Sequence, residues 1–159
     1  MHQHSAPFRN ILITGATGAI GAALARLYAG RGVTLYLHGR NVEVLEGLAI
    51  SCRNSASAVF THACDVRDTL EMRRWVDEVC AAEPPDLVIL AAGMNTNIGP
   101  EGEPEIWDEA EALIDVNIKG SMAAINALLP AMLARRTGQI AIFSSLAGYF
   151  GLPLTPSYS

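Results

Sequence analysis

A glycine-rich turn near the start constrains this chain more than any other feature. Thr14-Gly15-Ala16-Thr17-Gly18-Ala19-Ile20-Gly21 stands between an apolar run at residues 10–14 and a segment where Ile20, Ala23, Leu24, Leu27 and Tyr28 recur at helical spacing. An apolar run without alternation reads as a strand buried on both faces. Glycines at such a turn keep Cβ atoms away from the free N–H groups of the helix start, where a dinucleotide pyrophosphate binds. Close packing of strand on helix also calls for glycine, but the strand-turn-helix context favours the phosphate site. Gly15, Thr17, Gly18, Ala19, Ile20 and Gly21 are therefore candidate cofactor-binding residues.

The rest of the chain repeats this unit. Further strands are predicted at residues 33–38, 58–62, 86–92 and 139–144. Helices are predicted at 42–53, with Val44, Leu45 and Leu48 on one face, and at 70–82, with Met72, Trp75, Val76 and Val79. Residues 99–105 read as a loop, and a helical pattern then runs, with a break, over 106–135. Five apolar strands alternating with helices specify an α/β fold, a Rossmann-type doubly wound parallel sheet with helices on both faces, in one domain over residues 1–159.

Eleven Lys and Arg against sixteen Asp and Glu give a net charge of −5 without a basic run, which argues against nucleic acid and anionic membrane as partners. The opening residues 1–7 are polar and no later apolar run is read as membrane-spanning, so a cytoplasmic location is expected. Cys52, Cys64 and Cys80 lack metal-type spacing and read as reduced packing residues. No metal site is expected, since His2 and His4 sit on a tail without further ligands. The acids Glu101, Glu103, Glu105, Asp108, Glu109 and Glu111 read as a solvated face that favours the helix dipole.

Strand two ends His38-Gly39-Arg40-Asn41, where NAD-preferring folds carry an acid for the ribose 2′-hydroxyl. A guanidinium instead pairs with a 2′-phosphate, so Arg40 and Asn41 favour NADP(H), with NAD(H) still possible. His38 and His62 are given no catalytic role, and Trp75 and Trp107 read as core or rim packing.

The later motifs fall in the order of the short-chain dehydrogenase/reductase family, which the chain resembles from Thr14 to Tyr158. Asp65-Val66 looks like the family's adenine-contacting pair, and Ala91-Ala92-Gly93 like its Asn-Ala-Gly segment, with alanine in place of asparagine. Asn117 matches the helix asparagine that helps hold a water in the proton relay. Ser145 precedes Tyr158 by the spacing of the compact branch, whereas the glycines at 15, 18 and 21 are spaced as in the extended branch of sugar-nucleotide epimerases and dehydratases. The majority of motifs points to the compact branch.

The resemblance implies hydride transfer between NADP(H) and a small carbonyl or alcohol substrate. Tyr158 would exchange a proton with the substrate oxygen and Ser145 would hydrogen-bond it. An ordinary tyrosine has a pKa near 10, so the role calls for a nearby positive charge. The family provides a lysine four residues after the tyrosine, a position beyond Ser159; Lys119 reads instead as a solvated helix residue. The expectation is an incomplete Rossmann domain, inactive and prone to association alone, with a non-catalytic dinucleotide-binding remnant as the alternative. A homodimer or homotetramer is implied for the complete protein.

Overall fold

A computed structural model describes residues 8–98 and 103–159 of the chain. Strands β1 (Asn10–Thr14), β2 (Thr34–Gly39), β3 (Ala58–Ala63), β4 (Leu87–Leu90) and β5 (Gln139–Ile142) form one sheet. The order is β3-β2-β1-β4-β5 and every pairing is parallel, with Leu12 opposite both Tyr36 and Val88. The connecting helices are α1 (Ala19–Tyr28), α2 (Val42–Arg53), α3 (Thr69–Ala82), α4 (Trp107–Ile114) and α5 (Ser121–Arg135).

Alternate strand residues feed two cores. Ile11, Ile13, Leu35, Leu37 and Ile89 pack with Ala25, Leu45, Leu48, Ala49 and Cys52 of α1 and α2. Leu12, Tyr36, Val88 and Leu90 pack with Met72, Trp75, Val76, Leu128 and Met132 of α3 and α5. Burial on both faces is why the inner strands β1, β2 and β4 read as apolar runs, whereas the edge strands β3 and β5 are only partly buried. The helix faces differ from the periodicity reading: Ile20, Leu27 and Val44 are exposed, while Gly21 and Ala25 face the sheet. At Gly21 the helix lies so close to the Gly15-Ala16 turn that a Cβ would collide with it, while Leu24 and Tyr28 further along pack against the core.

No break divides the helical stretch before β5. A π-helical turn, Asp115–Gly120, joins α4 to α5 and keeps the helix continuous, and Pro130 lies within α5 on an exposed position. Trp107–Arg135 is long and apolar enough by length and composition to cross a membrane, contrary to the sequence reading. Here Ala124, Leu128 and Met132 of its α5 part pack against α3, while Trp107, Ile118, Met122 and Leu133 are exposed. Trp75 is buried, but Trp107 is 73% exposed and is not a core residue. The readings at His2, His4 and Glu101 lie outside the described residues.

Candidate active site

Two adjoining cavities open at the carboxyl ends of the strands, where the strand order reverses between β1 and β4. The first, about 250 Å³, is lined by Gly15, Thr17 and Gly18 of the turn, Arg40 after β2, and Asp65 and Val66 after β3. The second, about 530 Å³, is lined by Ile20, Asn117, Ser145, Ser157 and Tyr158. Ala91, Ala92, Gly93 and Met94 form a wall common to both, so the cavities make one crevice. Ala19, Gly21 and Asn41 line neither.

The turn has the form an anion needs. Gly15 has φ +67°, and a Cβ there would lie 2.5 Å from the Ala92 nitrogen. A Cβ on Gly21 would run into the Gly15 carbonyl oxygen. The helix that follows starts at Gly18 with no side-chain cap and no acid in its first turn, so its positive end carries no neutralising group of its own. A pyrophosphate fits that end by charge and by hydrogen bonding.

At the other side of the first cavity, one guanidinium holds Asp65. Arg67 donates through Nε to Oδ1 and Oδ2, both at 3.1 Å, and through Nη2 to Oδ2 at 2.7 Å. The Arg67 backbone N–H adds a bond of 2.9 Å to Oδ1. These bonds, with a smaller contribution from Arg40, hold the Asp65 carboxyl below the usual range. Arg40 is exposed at the mouth, and the Asn41 side chain caps α2 by accepting from the Val44 N–H at 3.0 Å. The sequence reading missed Arg67, for which the only signal was its spacing of two from Asp65.

Beneath this end lies His38, 1% exposed, with its ring centroid 5.5 Å from Trp75 and 6.3 Å from His62. Its Nε2 is 3.3 Å from Cys64 Sγ. Burial, with His62 beside it, pushes the His38 pKa down to about 4. Burial and the carboxylates of Glu71, Asp68 and Asp65 push the Cys64 thiol up to about 11, so it stays protonated.

The second cavity gathers the catalytic candidates. Asn117, on the π-helical turn, accepts from the Met94 N–H at 2.8 Å and donates Nδ2–H to the Met94 carbonyl at 2.9 Å. Its side chain therefore ties the helix to the wall between the cavities. Ser145 Oγ accepts from the Ala147 N–H at 3.1 Å, which leaves the hydroxyl hydrogen free to donate. Tyr158 is half-buried on the same cavity. Lys119 forms an ion pair with Asp115 at 2.5 Å and does not line the crevice. Glu105, read as part of a solvated face, instead accepts from the Thr96 and Ser157 hydroxyls.

Residues 9–159 match the short chain dehydrogenase family. An uncharacterized oxidoreductase of Myxococcus xanthus is 34% identical over 155 residues, covering 96% of this chain and 60% of that protein. A 3-dehydrosphinganine reductase of Arabidopsis thaliana is 35% identical over 156 residues, 96% of this chain and 46% of that one. Among solved structures, NAD+-bound xylitol dehydrogenase has a TM-score of 0.85 at 28% identity, covering 94% of this chain and 58% of that one. Actinorhodin polyketide ketoreductase with NADPH has a TM-score of 0.84 at 26% identity, with the same coverage. The chain thus spans 60% or less of the length of these relatives. With a family match across the described sheet and a crevice at its switch point, the chain belongs to the short-chain dehydrogenase/reductase family of oxidoreductases, whose fold implies a nicotinamide dinucleotide cofactor.

Proposed function

We propose that this chain supplies the NADP(H) cleft and the reacting side chains of a compact-branch dehydrogenase/reductase that interconverts a carbonyl and an alcohol on a small molecule. The observation that carries the reading is the single crevice, with Gly15, Gly18 and Arg40 at one end and Asn117, Ser145 and Tyr158 at the other. When bound, the nicotinamide ring supplies or accepts a hydride at the substrate carbon.

The chain's own residues do the rest. The turn at Gly15 to Gly21 binds the pyrophosphate, Arg40 pairs with the 2′-phosphate, and Asp65 and Val66 border the adenine. Ala91, Ala92 and Gly93 form the wall beside the cofactor. Ser145 donates its free hydroxyl hydrogen to the substrate oxygen, and Tyr158 gives that oxygen a proton in reduction or removes one in oxidation. Asn117, tied to Met94 on the wall of the second cavity, helps hold a water in the proton relay. The reading extends to a cytoplasmic homodimer or homotetramer, for which exposed Ile118, Met122 and Leu133 offer an apolar stripe.

The test is Tyr158→Phe in the full-length protein. NADPH binding should stay within about twofold of wild type while turnover falls by about 100-fold or more, as expected when a general acid or base is lost. Turnover at the wild-type rate would remove Tyr158 from its role.

A further inference from the structure

The Glu105 carboxylate joins three segments of chain at the rim of the second cavity. Glu105 lies just before α4; Oε1 accepts from the hydroxyl of Thr96, on the loop after β4, and Oε2 accepts from the hydroxyl of Ser157. Thr96 is 2% exposed, and its hydroxyl makes this bond inside the protein. A second tie runs alongside, from the Ile98 N–H to the Leu154 carbonyl at 2.8 Å. Within the tyrosine loop, the Leu152 N–H donates to Ser159 Oγ at 3.1 Å and the Ser159 N–H to the Thr155 carbonyl at 3.1 Å. Residues 152–159 are thus tied internally and fastened outward through Ser157 and Leu154.

We propose that Glu105 is a positioning residue that holds the loop bearing Tyr158 in place over the second cavity, an inference that rests on the role given to Tyr158 above. A carboxylate suits the task because it is acceptor-only and offers one oxygen to each hydroxyl donor. Both donors stabilise the charged form and hold the Glu105 carboxyl below its usual range, so the clamp keeps its charge across neutral pH. Ser157 is the residue beside Tyr158, and both line the cavity, so a shift of Ser157 moves the phenol. A displacement of about 1 Å at a reacting group lowers rates by up to about 100-fold. Loss of the carboxylate also leaves the buried Thr96 hydroxyl without this acceptor.

The experiment compares Glu105→Ala, Glu105→Gln, Ser157→Ala and the Glu105→Ala/Ser157→Ala double variant of the full-length protein. The readouts are NADPH affinity, NADPH oxidation with a panel of small β-keto esters and diketones, and deuterium exchange at residues 152–159. Glu105→Ala should lower kcat by about 10- to 100-fold, leave the NADPH Kd within about twofold, and speed exchange in that segment. Glu105→Gln, whose amide oxygen still accepts one hydroxyl while its NH2 donates to the other, should recover most of the rate. The double variant should be no slower than the slower single one.

Wild-type exchange in Glu105→Ala overturns the clamp, whether or not any carbonyl probe is reduced. Faster exchange with wild-type kcat overturns the positioning role, as does a Glu105→Gln variant as slow as Glu105→Ala. Tyr158→Phe run in parallel separates the two readings: turnover retained there removes the assignment to Tyr158, while the exchange result still decides the clamp.

Discussion

Under the NADP(H) reading proposed above, a carboxylate near the 2′-phosphate would work against it, and Asp65 lines the same cavity as Arg40. Arg67 resolves the conflict by taking both Asp65 oxygens, which leaves the Arg40 guanidinium available to an incoming anion. Arg40→Asp should therefore weaken NADPH relative to NADH by about 10- to 100-fold, equivalent to about 1.4–2.8 kcal/mol. Arg67→Gln should shift the preference the same way by a smaller factor, because it uncovers the Asp65 charge rather than removing a ligand. Fluorescence titration of each cofactor gives both ratios; an unaltered ratio in Arg40→Asp would reduce Arg40 to a surface charge. The place of Arg40 at the crevice was legible because the residue after β2 is positioned by the fold. Arg67 was not, since Asp and Arg two positions apart signal nothing until a turn folds one side chain back onto the other.

The elements were legible where a local rule decides them and less so where contact decides. All five strands and the helix Val42–Arg53 lie within a residue or two of where apolar runs and stop residues put them, with the fifth strand ending at Ile142 rather than Ser144. Burial on both faces marks the inner strands β1, β2 and β4, and capping marks the helix. The fourth strand was read over 86–92 but pairs only over Leu87–Leu90, since Ala91 and Ala92 are apolar as crevice wall rather than as ladder residues. In place of the expected break before Arg135 stands a π-helical turn that carries Asn117, whose partner Met94 lies 23 residues away and leaves no trace in local periodicity. The amino ends of the inner strands β1 and β4 are held in another way. Asp86 Oδ2 accepts from the Arg9 and Asn10 N–H groups at 2.9 and 3.1 Å, and Oδ1 lies 3.4 Å from Arg135 Nη1 at the end of α5. Asp86→Ala should therefore destabilise the fold by about 2–3 kcal/mol, mainly through the two backbone donors it strands. In a double-mutant cycle its coupling to Arg135 should stay near 1 kcal/mol, because that pair is part-exposed. Urea unfolding measures both, and a loss below about 0.5 kcal/mol in Asp86→Ala would show that water replaces the carboxylate.

For the molecule as a whole, the consequential residue is one that the sequence reading set aside. His38 looked idle at a strand end because no nucleophile stands near it in sequence; folding brings His62 and Cys64 of the neighbouring strand segment and Trp75 of α3 around its ring. The result is a buried imidazole under the cofactor crevice, with a pKa of about 4 in the folded protein against about 6.5 in the unfolded chain. The unfolded state therefore takes up this proton first as the pH falls. Between pH 6.5 and 4 it binds more protons than the native state, so stability is full above that window and is lost progressively on acidification through it. The total lost through this group is about 3 kcal/mol, a substantial share of the 5–15 kcal/mol typical of a folded domain. Carboxylates held low, such as Asp65, add their own losses only at lower pH, where they protonate in the unfolded chain. His38→Leu keeps the volume and removes the titration, so it should flatten the fall in unfolding free energy between pH 7 and 5 relative to wild type. Urea unfolding of both proteins at pH 7, 6 and 5 provides the comparison. Parallel curves would mean that the native state accepts a proton on His38 as readily as the unfolded chain does, and that the ring is not sealed beneath the crevice.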